Sequence, residues 1–257
     1  MADSEWFNDI QFWERYGPIM FDRNRWDEVP LVADGVTAMA RLDLYKRNTA
    51  DPAGPRVLDL CCGFGRIALE LSRRGFSVTG VDITEPYLNA GRDDAAYEKL
   101  DIEFIQQDVR SFKRPNTFDL AVNLYISFGY FDDQQDDLLF VRNVRESLKD
   151  SGTFIIETLG KEIAVRDFVE AEWFERAGYT VLTEYTPTDS WAGIKNRWIL
   201  IKEGERIEKT FTQRLYSAVE LRRLLFDAGF RVVEIYGNWN EAPYDHHAEV
   251  LIAVGRK

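Results

Sequence analysis

Short apolar segments alternate with helical segments between residues 56 and 159, and this alternation constrains the fold more than any other feature of the chain. Five such segments are rich in apolar and β-branched residues, which is typical of buried strands. They read RVLDL, FSVTGVDI, DIEFIQQD, FDLAVNLY and TFIIETL. Parallel strands need long crossover connections, which are usually helices. The alternation therefore predicts an α/β fold, with a mostly parallel sheet and helices on both faces.

The rest of the chain adds two departures from that pattern. From about residue 172 to residue 216, the segments YTVLTEYT, IKNRWILIKEG and RIEKTFTQRLY alternate with a period of two and are joined by polar turns. This predicts an antiparallel β meander, inserted as a cap over about residues 160–216. The last two apolar segments, RVVEIYGNW and AEVLIAVGRK, are separated only by a loop, so we expect them to pair antiparallel. We expect a single domain over residues 1–257.

The overall charge and composition disfavour several classes of partner. The chain has a formal net charge of −12 at pH 7 and no basic cluster longer than SRRG or LRRL, so we expect no nucleic-acid partner. No apolar stretch approaches the length of a membrane helix, and the N-terminal MADSEWFNDIQFWERYG lacks the basic and apolar regions of a secretory signal. The two cysteines are adjacent and cannot form a disulfide framework. These features predict a cytoplasmic protein without a membrane partner.

The stretch VLDLCCGFGR, residues 57–66, is the segment richest in chemistry. Its neighbouring cysteines could be a redox pair or half of a metal site, but they lack C-x-x-C spacing, and only two histidines are available to complete a metal site. We therefore expect no metal. A nucleotide-binding turn is favoured instead, because a strand, a glycine turn and a helix bring backbone N–H groups close to a ligand. Gly63 and Gly65 would permit that approach.

Three acids lie at the ends of three successive predicted strands and indicate which adenosine-containing ligand would bind. Asp82 lies 17 residues after Gly65, where a carboxylate would accept hydrogen bonds from the hydroxyls of an adenosine ribose. Asp59 precedes the glycines, where it would repel a pyrophosphate but suit a cationic group. Asp108 could accept a hydrogen bond from an adenine amino group while Val109 offers its backbone N–H. The set favours S-adenosylmethionine, and an NAD-dependent oxidoreductase is the less favoured alternative.

These motifs, together with FDLAVNLYISFGYF and SGTFIIETLG, resemble the ordered motifs of class I S-adenosylmethionine-dependent methyltransferases. The resemblance runs from about residue 55 to residue 160 and again through the terminal hairpin. It implies a Rossmann-like sheet of seven strands whose last strand is antiparallel, with S-adenosylmethionine as the cofactor. The roles that it implies are contact with the methionine portion for Gly63 and Gly65, with ribose for Asp82, with adenine for Asp108, with the adenine face for Ile83, and with the methionine amino or carboxylate group for Asn123.

Cys61 departs from the family, which often has a glycine at this position. We expect a small side chain to be tolerated there if the backbone stays β-like. We also expect Cys61 to contact the methionine portion of the cofactor.

The methyl acceptor is predicted to be a small molecule that presents an N or O nucleophile. The sequence lacks the Asn-Pro-Pro-Tyr motif of base and amide methylation and the Pro-Cys pair that attacks pyrimidines. In similar methyltransferases the segment before the first strand closes the site, so about residues 1–50 are the predicted lid, although their aromatic side chains could equally pack against helices. Loss of catalysis would leave the same motifs in place, so a non-catalytic S-adenosylmethionine-binding protein is the other alternative.

No acid–base pair in the sequence identifies a catalytic residue. The candidates are side chains that could reach the site from its mouth, the lid, the meander or the last loop, namely Tyr130, Tyr16, Arg214 and His246. The sequence leaves the oligomeric state open, and the exposed edges expected for the meander could pair two subunits into a homodimer.

Overall fold

The structure is a computed structural model that describes residues 5–42 and 54–257; the remaining residues of the predicted lid, 1–4 and 43–50, lie outside the described residues. The described strands are β1 (Arg56–Leu60), β2 (Ser77–Asp82), β3 (Ile102–Gln106), β4 (Phe118–Asn123), β5 (Leu148–Thr158), β6 (Ala171–Arg176), β7 (Tyr179–Thr188), β8 (Gly193–Lys202), β9 (Glu205–Arg214), β10 (Val232–Tyr236) and β11 (Leu251–Arg256). The described helices are α1 (Ile10–Met20), α2 (Arg23–Asp27), α3 (Val29–Met39), α4 (Arg66–Arg73), α5 (Glu85–Glu98), α6 (Gln134–Ser147), α7 (Lys161–Arg166) and α8 (Ala218–Asp227), with short 3-10 helices at Trp6–Asn8 and Asp189–Trp191.

Seven strands form the central sheet in the order β3-β2-β1-β4-β5-β11-β10. The first five of these pair in parallel, whereas β11 runs antiparallel to both β5 and β10. The prediction of a seven-stranded, mostly parallel sheet with an antiparallel last strand is therefore confirmed. Because β1 to β5 are parallel, their carboxyl ends meet at one edge of the sheet, and the predicted cofactor-binding residues lie near or after the ends of β1 to β4.

Both faces of the central sheet are covered by helices. Val57 of β1 packs in an apolar cluster with α3 and α4, whereas the next residue, Leu58, packs in a second cluster with α6 and α8. Both side chains are fully buried. A strand that is covered on both faces has apolar residues at successive positions, which explains why the central strands are continuous apolar runs in the sequence.

The connection between α6 and β5 differs from the sequence expectation. The strand predicted here is TFIIETL, which begins at Thr153, but α6 ends at Ser147 and β5 begins at Leu148. The register against β4 shifts between the pairs Phe118↔Leu148 and Leu120↔Thr153, and Ser151 has a φ of 68°. The DSG sequence therefore forms an irregularity within the strand, where the glycine and serine permit the extra residues to bulge.

The inserted meander forms a separate four-stranded antiparallel sheet in the order β6-β7-β8-β9, which confirms the predicted cap sheet. Its first strand, β6, was not predicted as a strand because the side chains of β6 are mostly exposed and give no period-two signal. The cap is tied to the rest of the molecule at Arg214, whose backbone N–H donates to the carbonyl of Gly129 over 2.7 Å.

The N-terminal helices pack against the cap sheet as well as against the central sheet. Phe12, Tyr16 and Ile19 of α1 share an apolar cluster with Val181 and Leu200 of the cap. The N-terminal segment thus bridges the two sheets. Within the described part of the chain, no helix combines the length and the apolar character that crossing a bilayer requires.

Candidate active site

A cavity of about 490 Å³ lies at the carboxyl edge of the central sheet, between that edge, the N-terminal segment and the cap. Most of the residues predicted from the sequence line it. They are Asp59, Cys61, Gly63, Asp82, Ile83, Asp108, Val109 and Tyr130. The cavity therefore joins residues from β1, β2 and the loops after β3 and β4, as the parallel strand order requires.

Asp82, at the end of β2, fixes the glycine turn. Its Oδ2 accepts a hydrogen bond from the backbone N–H of Gly63 over 2.9 Å, and its Oδ1 accepts one from the N–H of Thr84 over 2.8 Å. Burial raises the pKa of Asp82, and these backbone hydrogen bonds oppose that effect. A carboxylate has about four acceptor sites, so Asp82 can also accept the predicted hydrogen bonds of the ribose.

Asp59, near the end of β1, is a buried carboxylate with one oxygen that accepts no hydrogen bond from the described residues. It is 3% exposed, and its Oδ2 has no hydrogen-bond partner among the described residues. Burial, and secondarily the nearby charge of Asp82, raises the pKa of Asp59 to about 7. An unpaired buried carboxylate is costly, and a cationic ligand would remove that cost. This orphaned oxygen fits the amino group of S-adenosylmethionine.

Arg66, the first residue of α4, lines the same cavity and was not predicted from the sequence. Its guanidinium carbon lies 4.3 Å from the ring centroid of Tyr125 and 5.0 Å from that of Phe21, and Nη1 donates to the carbonyl of Arg25. Burial lowers the pKa of Arg66, but a guanidinium remains charged near neutrality. Asp59 and Arg66 thus place a carboxylate and a guanidinium on the lining of one cavity, as the zwitterionic methionine end of S-adenosylmethionine would require.

Cys61 has a φ of 56°, in the left-handed region, so the expectation of a β-like backbone is wrong. The chain reverses sharply here, because the N–H of Cys62 bonds to the carbonyl of Val81 and the N–H of Gly65 bonds to the carbonyl of Cys62. A left-handed position favours glycine, which explains why the family often has one there. Both cysteines are free thiols. Burial raises the pKa of each thiol, so both remain protonated at neutral pH. Among residues 5–42 and 54–257, no group of three potential metal ligands is found.

Asp108 is engaged by Arg110, a second residue that was not predicted from the sequence. The Nη2 of Arg110 lies 2.6 Å from Oδ2 of Asp108, and its Nε bonds to both carboxylate oxygens. Burial alone would raise the pKa of Asp108, but the hydrogen bonds from Arg110 lower the net pKa below its ordinary value. The predicted adenine acid is therefore ionised, and Arg110 holds it in place.

Arg110 also anchors the N-terminal segment. Its Nη1 and Nη2 lie 2.6 Å and 2.7 Å from the two carboxylate oxygens of Glu5, and Nη1 lies 3.0 Å from Oδ2 of Asp136 at the start of α6. We refer to Glu5, Asp108, Arg110 and Asp136 as the Arg110 latch. The latch joins the N-terminal segment to the adenine side of the predicted cofactor site.

Glu157, near the end of β5, is a third residue that was not predicted. It is buried, lines the cavity, and accepts the backbone N–H of Tyr125. Tyr125 and Ile126 have φ values of 56° and 62°, so the loop after β4 opens with two consecutive left-handed residues. Glu157 stabilises that loop, and burial raises the pKa of Glu157 to about 7. An acid at a fourth strand end, in IIETLG, was the available signal.

The part of the cavity beyond the strand ends is walled by aromatic rings. The ring centroid of Trp6 lies 4.8 Å from that of Tyr130 and 4.4 Å from that of Phe211 in the cap. Trp13 of α1 and Trp198 of β8 complete this wall. Burial raises the pKa of Tyr130 well above its ordinary value, so its hydroxyl is protonated and is a poor general base.

Two predicted cofactor residues do not line the cavity. The side chain of Asn123 is fully buried; its Nδ2 donates to the carbonyl of Leu60 over 3.1 Å, which joins β4 to β1, and its Oδ1 has no hydrogen-bond partner among the described residues. Gly65 has a φ of 74°, and a Cβ at this position would lie 2.7 Å from the ring of Phe104. Its role in the structure is therefore steric, because it permits the start of α4 to pack closely on Phe104.

Three of the four predicted catalytic candidates also lie outside the cavity. Tyr16 donates from its hydroxyl to the carbonyl of Trp198 over 3.0 Å, which ties α1 to the cap. The Nε of Arg214 lies 3.3 Å from Oδ2 of the buried Asp137, and its Nη2 donates to a loop carbonyl. His246 is exposed, with its carbonyl bonded to an arginine. Long-range partners, which the sequence does not reveal, hold the side chains of Tyr16 and Arg214 elsewhere, and of the four candidates Tyr130 alone lines the cavity.

Comparison with known proteins agrees with this geometry. The family described as "Methyltransferase domain" matches residues 57–152, which run from β1 into β5. A protein of Geobacillus sp. (strain WCH70), named provisionally as a methyltransferase, is 24% identical over 239 residues that cover 90% of this chain and 94% of that protein.

Two solved structures share the fold over nearly the whole chain. One is an S-adenosylmethionine-dependent methyltransferase from Clostridium acetobutylicum ATCC 824, with a TM-score of 0.76 and 16% identity, over 95% of this chain and 98% of that one. The other is CalS10 with bound S-adenosylmethionine, an amino pentose methyltransferase from Micromonospora echinaspora, with a TM-score of 0.68 and 18% identity, over 96% of this chain and 97% of that one.

The domain match, the strand order and the cavity lead to one assignment. S-adenosylmethionine supplies, when bound, a methyl group activated by attachment to a sulfonium. Residues 57–152 match the methyltransferase-domain family, and the protein is an S-adenosylmethionine-dependent methyltransferase, an enzyme that uses S-adenosylmethionine as methyl donor.

Proposed function

We propose that this methyltransferase transfers a methyl group to an N or O nucleophile of a small molecule bound in the cavity. The observation that carries the proposal is the lining of that cavity. A space of about 490 Å³ is lined both by acids at the strand ends and by aromatic rings of the N-terminal segment and the cap. A space of this size matches a cofactor with a small acceptor, and is typical of small-molecule sites.

In this proposal the adenosine part of the cofactor lies along the ends of β2 and β3. Asp82 binds the ribose hydroxyls, and Asp108 with Val109 and Ile83 contacts adenine. All four residues line the cavity, which supports this arrangement.

The methionine part of the cofactor lies at the end of β1 in the same proposal. Asp59 pairs with the methionine amino group, and Arg66 supplies the counter-charge for the methionine carboxylate. The placement of both side chains on the lining of the one cavity supports this assignment, as does the orphaned Oδ2 of Asp59.

The remaining residues contribute positioning and exclusion of water. Methyl transfer from a sulfonium is a displacement in which the nucleophile, the methyl carbon and the sulfur are collinear. Much of the rate enhancement therefore comes from aligning the acceptor nucleophile with the carbon–sulfur bond and excluding water from it. The aromatic rings around Tyr130 would exclude water from that line. We propose that the segment before β1 acts as a lid and that the four-stranded sheet acts as a cap. Both contribute rings to the cavity, which supports these roles.

We also propose that the protein acts in the cytoplasm. Cys61 and Cys62 are free thiols beside the cavity, and a reducing compartment would keep them so.

Isothermal titration calorimetry with S-adenosylmethionine, S-adenosylhomocysteine and NADH tests the assigned site. We expect the first two to bind and NADH not to bind, because Asp59 opposes a pyrophosphate. Binding of NADH without binding of the other two would overturn the proposal. The rate at which the enzyme converts S-adenosylmethionine to S-adenosylhomocysteine would then be measured. A rate that rises when a small-molecule acceptor is added would distinguish an enzyme from a protein that only binds the cofactor.

A further inference from the structure

The face of the cap sheet that lines the cavity carries two buried amides on neighbouring strands. Asn196 of β8 is 7% exposed and Gln213 of β9 is 8% exposed. In the antiparallel register Asn196 pairs with Phe211 and Ile194 pairs with Gln213. Paired residues, and residues two apart on a strand, share one face, so all four side chains point the same way.

The amide nitrogens are used by the protein itself. The Nε2 of Gln213 donates to the carbonyls of Ile126 and Phe128, each over 3.0 Å, and the Nδ2 of Asn196 donates to the carbonyl of Ile194 over 3.1 Å. These bonds fix which way each amide is oriented. Among the described residues no hydrogen bond ends on either amide oxygen, and an amide oxygen can only accept.

The part of the cavity lining that the cap itself supplies carries little charge. Of the residues in β6 to β9 that line the cavity, none is a carboxylate, and the one cation is Arg176, whose Nε lies 3.2 Å from Oδ2 of Asp22. The rings of Trp198 and Phe211 lie on the same side of the cavity. Aromatic faces attract a cation, whereas two amide oxygens would repel an anionic group.

We propose that the acceptor is a primary or secondary amine, and that Asn196 and Gln213 determine this specificity by accepting hydrogen bonds from its N–H groups. This inference rests on the proposed function and names the acceptor class of that same cavity. The two residues would orient the nitrogen lone pair toward the methyl group.

The chemistry of proton loss favours an amine over an alcohol. A neutral amine donates N–H groups to amide oxygens and still presents a lone pair. As the nitrogen–carbon bond forms and the carbon–sulfur bond breaks, the bonding pair leaves on sulfur, and the resulting ammonium later releases a proton to solvent. A hydroxyl would have to lose its proton during transfer, and an amide oxygen is too weak a base to take it. The cavity carboxylates that could act as bases, Asp59 and Glu157, belong to the central sheet and not to the cap face that carries the two amides. The aromatic rings would stabilise the cationic product.

The position of the transferred methyl group tests this inference. The enzyme is incubated with S-adenosylmethionine carrying a trideuterated methyl group and with a protein-free metabolite extract of the source organism, and labelled products are fragmented in a mass spectrometer. We expect the label on nitrogen. Label on oxygen, sulfur or carbon would overturn the inference, as would binding of S-adenosylhomocysteine with no labelled small molecule. Failure to bind S-adenosylhomocysteine in the calorimetric test would instead overturn the proposed function.

A substitution separates acceptor binding from cofactor binding. Asn196→Leu keeps a similar side-chain volume and removes the oxygen, so we expect the acceptor KM to rise about tenfold or more. The calorimetric Kd for S-adenosylhomocysteine should not change, because Asn196 lies on the cap side. Gln135→Leu, at the exposed start of α6, is the matched control and should leave KM unchanged. An unchanged KM in Asn196→Leu, or an equal loss of S-adenosylhomocysteine affinity, would contradict a role in specificity.

Discussion

Asp59 is the site residue whose ionisation should have the most easily measured effect on ligand binding. Its carboxyl group is buried, has an unpartnered oxygen and has a pKa raised to about 7. A group of this kind is costly to ionise in the free protein and gains most from a cationic partner. Its protonation should therefore be linked to cofactor binding.

Binding of S-adenosylhomocysteine is expected to depend on pH through Asp59. Below a pKa of about 7 the carboxyl is neutral and must lose a proton before it pairs with the ligand ammonium. The Kd should therefore be about tenfold weaker at pH 6 than at pH 8. Calorimetry across this range measures the effect. Asp59→Asn should remove the dependence, whereas Glu157→Gln, which removes the other cavity acid with a pKa of about 7, should retain it. A full pH dependence in Asp59→Asn would contradict this role.

Asp82→Ala should weaken S-adenosylhomocysteine binding by about tenfold or more, because the ribose loses a charged acceptor and the N–H of Gly63 loses its partner. Calorimetry is again the measurement. Asp101→Ala, which removes an exposed acid at the opposite end of β3, is the control and should bind normally. An unchanged Kd in Asp82→Ala would show that the ribose assignment is wrong.

Single residues also show where sequence reasoning reached its limit. Asp59 and Asp82 were identified because strand ends and glycine turns are visible in the sequence. Arg110 was not, because its ion pair with Glu5 joins positions 105 residues apart. Asn123 follows the family motif, but whether a strand-end side chain faces the ligand or the next strand depends on packing.

At the scale of elements, the Arg110 latch connects the loop after β3, the N-terminal segment and the start of α6. Arg110 also lies 5.5 Å from the ring centroid of Phe7 and 4.7 Å from that of Phe131, so the N-terminal segment is held by ion pairs and by aromatic contact. Movement of this segment would break the same contacts that hold Asp108. Cofactor release should therefore respond to the strength of the latch.

Glu5→Gln is expected to accelerate dissociation of S-adenosylhomocysteine by about threefold to tenfold, because a partly buried, two-pronged ion pair is lost. Stopped-flow tryptophan fluorescence can follow the release, since Trp6 is adjacent to Glu5. Glu98→Gln removes a comparable two-pronged pair with Arg73 away from the cavity, and it should leave the rate unchanged. Equal rates in Glu5→Gln and the unmodified protein would exclude the latch from release.

A helix or strand was easier to predict from the sequence when more of its side chains are buried, because burial imposes a regular spacing of apolar residues. The central strands are covered on both faces, so their apolar runs are visible in the sequence. The strand β6 was not visible, because it is an edge strand with few buried side chains and with Trp173 69% exposed. The early start of β5 was hidden by a DSG sequence that usually signals a turn.

At the scale of the whole molecule, the N-terminal helices and the cap share one apolar cluster. A ligand in the cavity would contact the central sheet, the N-terminal segment and the cap at once. Ligand binding should therefore raise the stability of all three parts together.

Saturating S-adenosylhomocysteine should raise the Tm of the protein. A ligand at about 100 times its Kd adds about 2.7 kcal/mol to the free energy of unfolding, or about 5–10 °C for a chain of this size. Differential scanning calorimetry measures this shift, and NADH at the same concentration is the control. A shift with NADH alone, or two separate transitions with only one raised, would contradict the expectation.

The homodimer stays a prediction. The open edge of β6, with its exposed Trp173, is the surface that would pair two copies. We expect sedimentation equilibrium to give twice the monomer mass, and we expect Trp173→Glu to give the monomer. A monomer at all concentrations of the unmodified protein would refute the prediction.

The cap sheet has a consequence for how acceptor specificity can change. All four of its strands come from one uninterrupted stretch between α7 and α8, whereas the strand-end acids come from segments that precede α7. Two breakpoints would therefore be enough to graft the cap of one relative onto the donor-binding half of another. Evolution, or a laboratory chimera, could exchange what is methylated without rebuilding the machinery that holds the methyl donor.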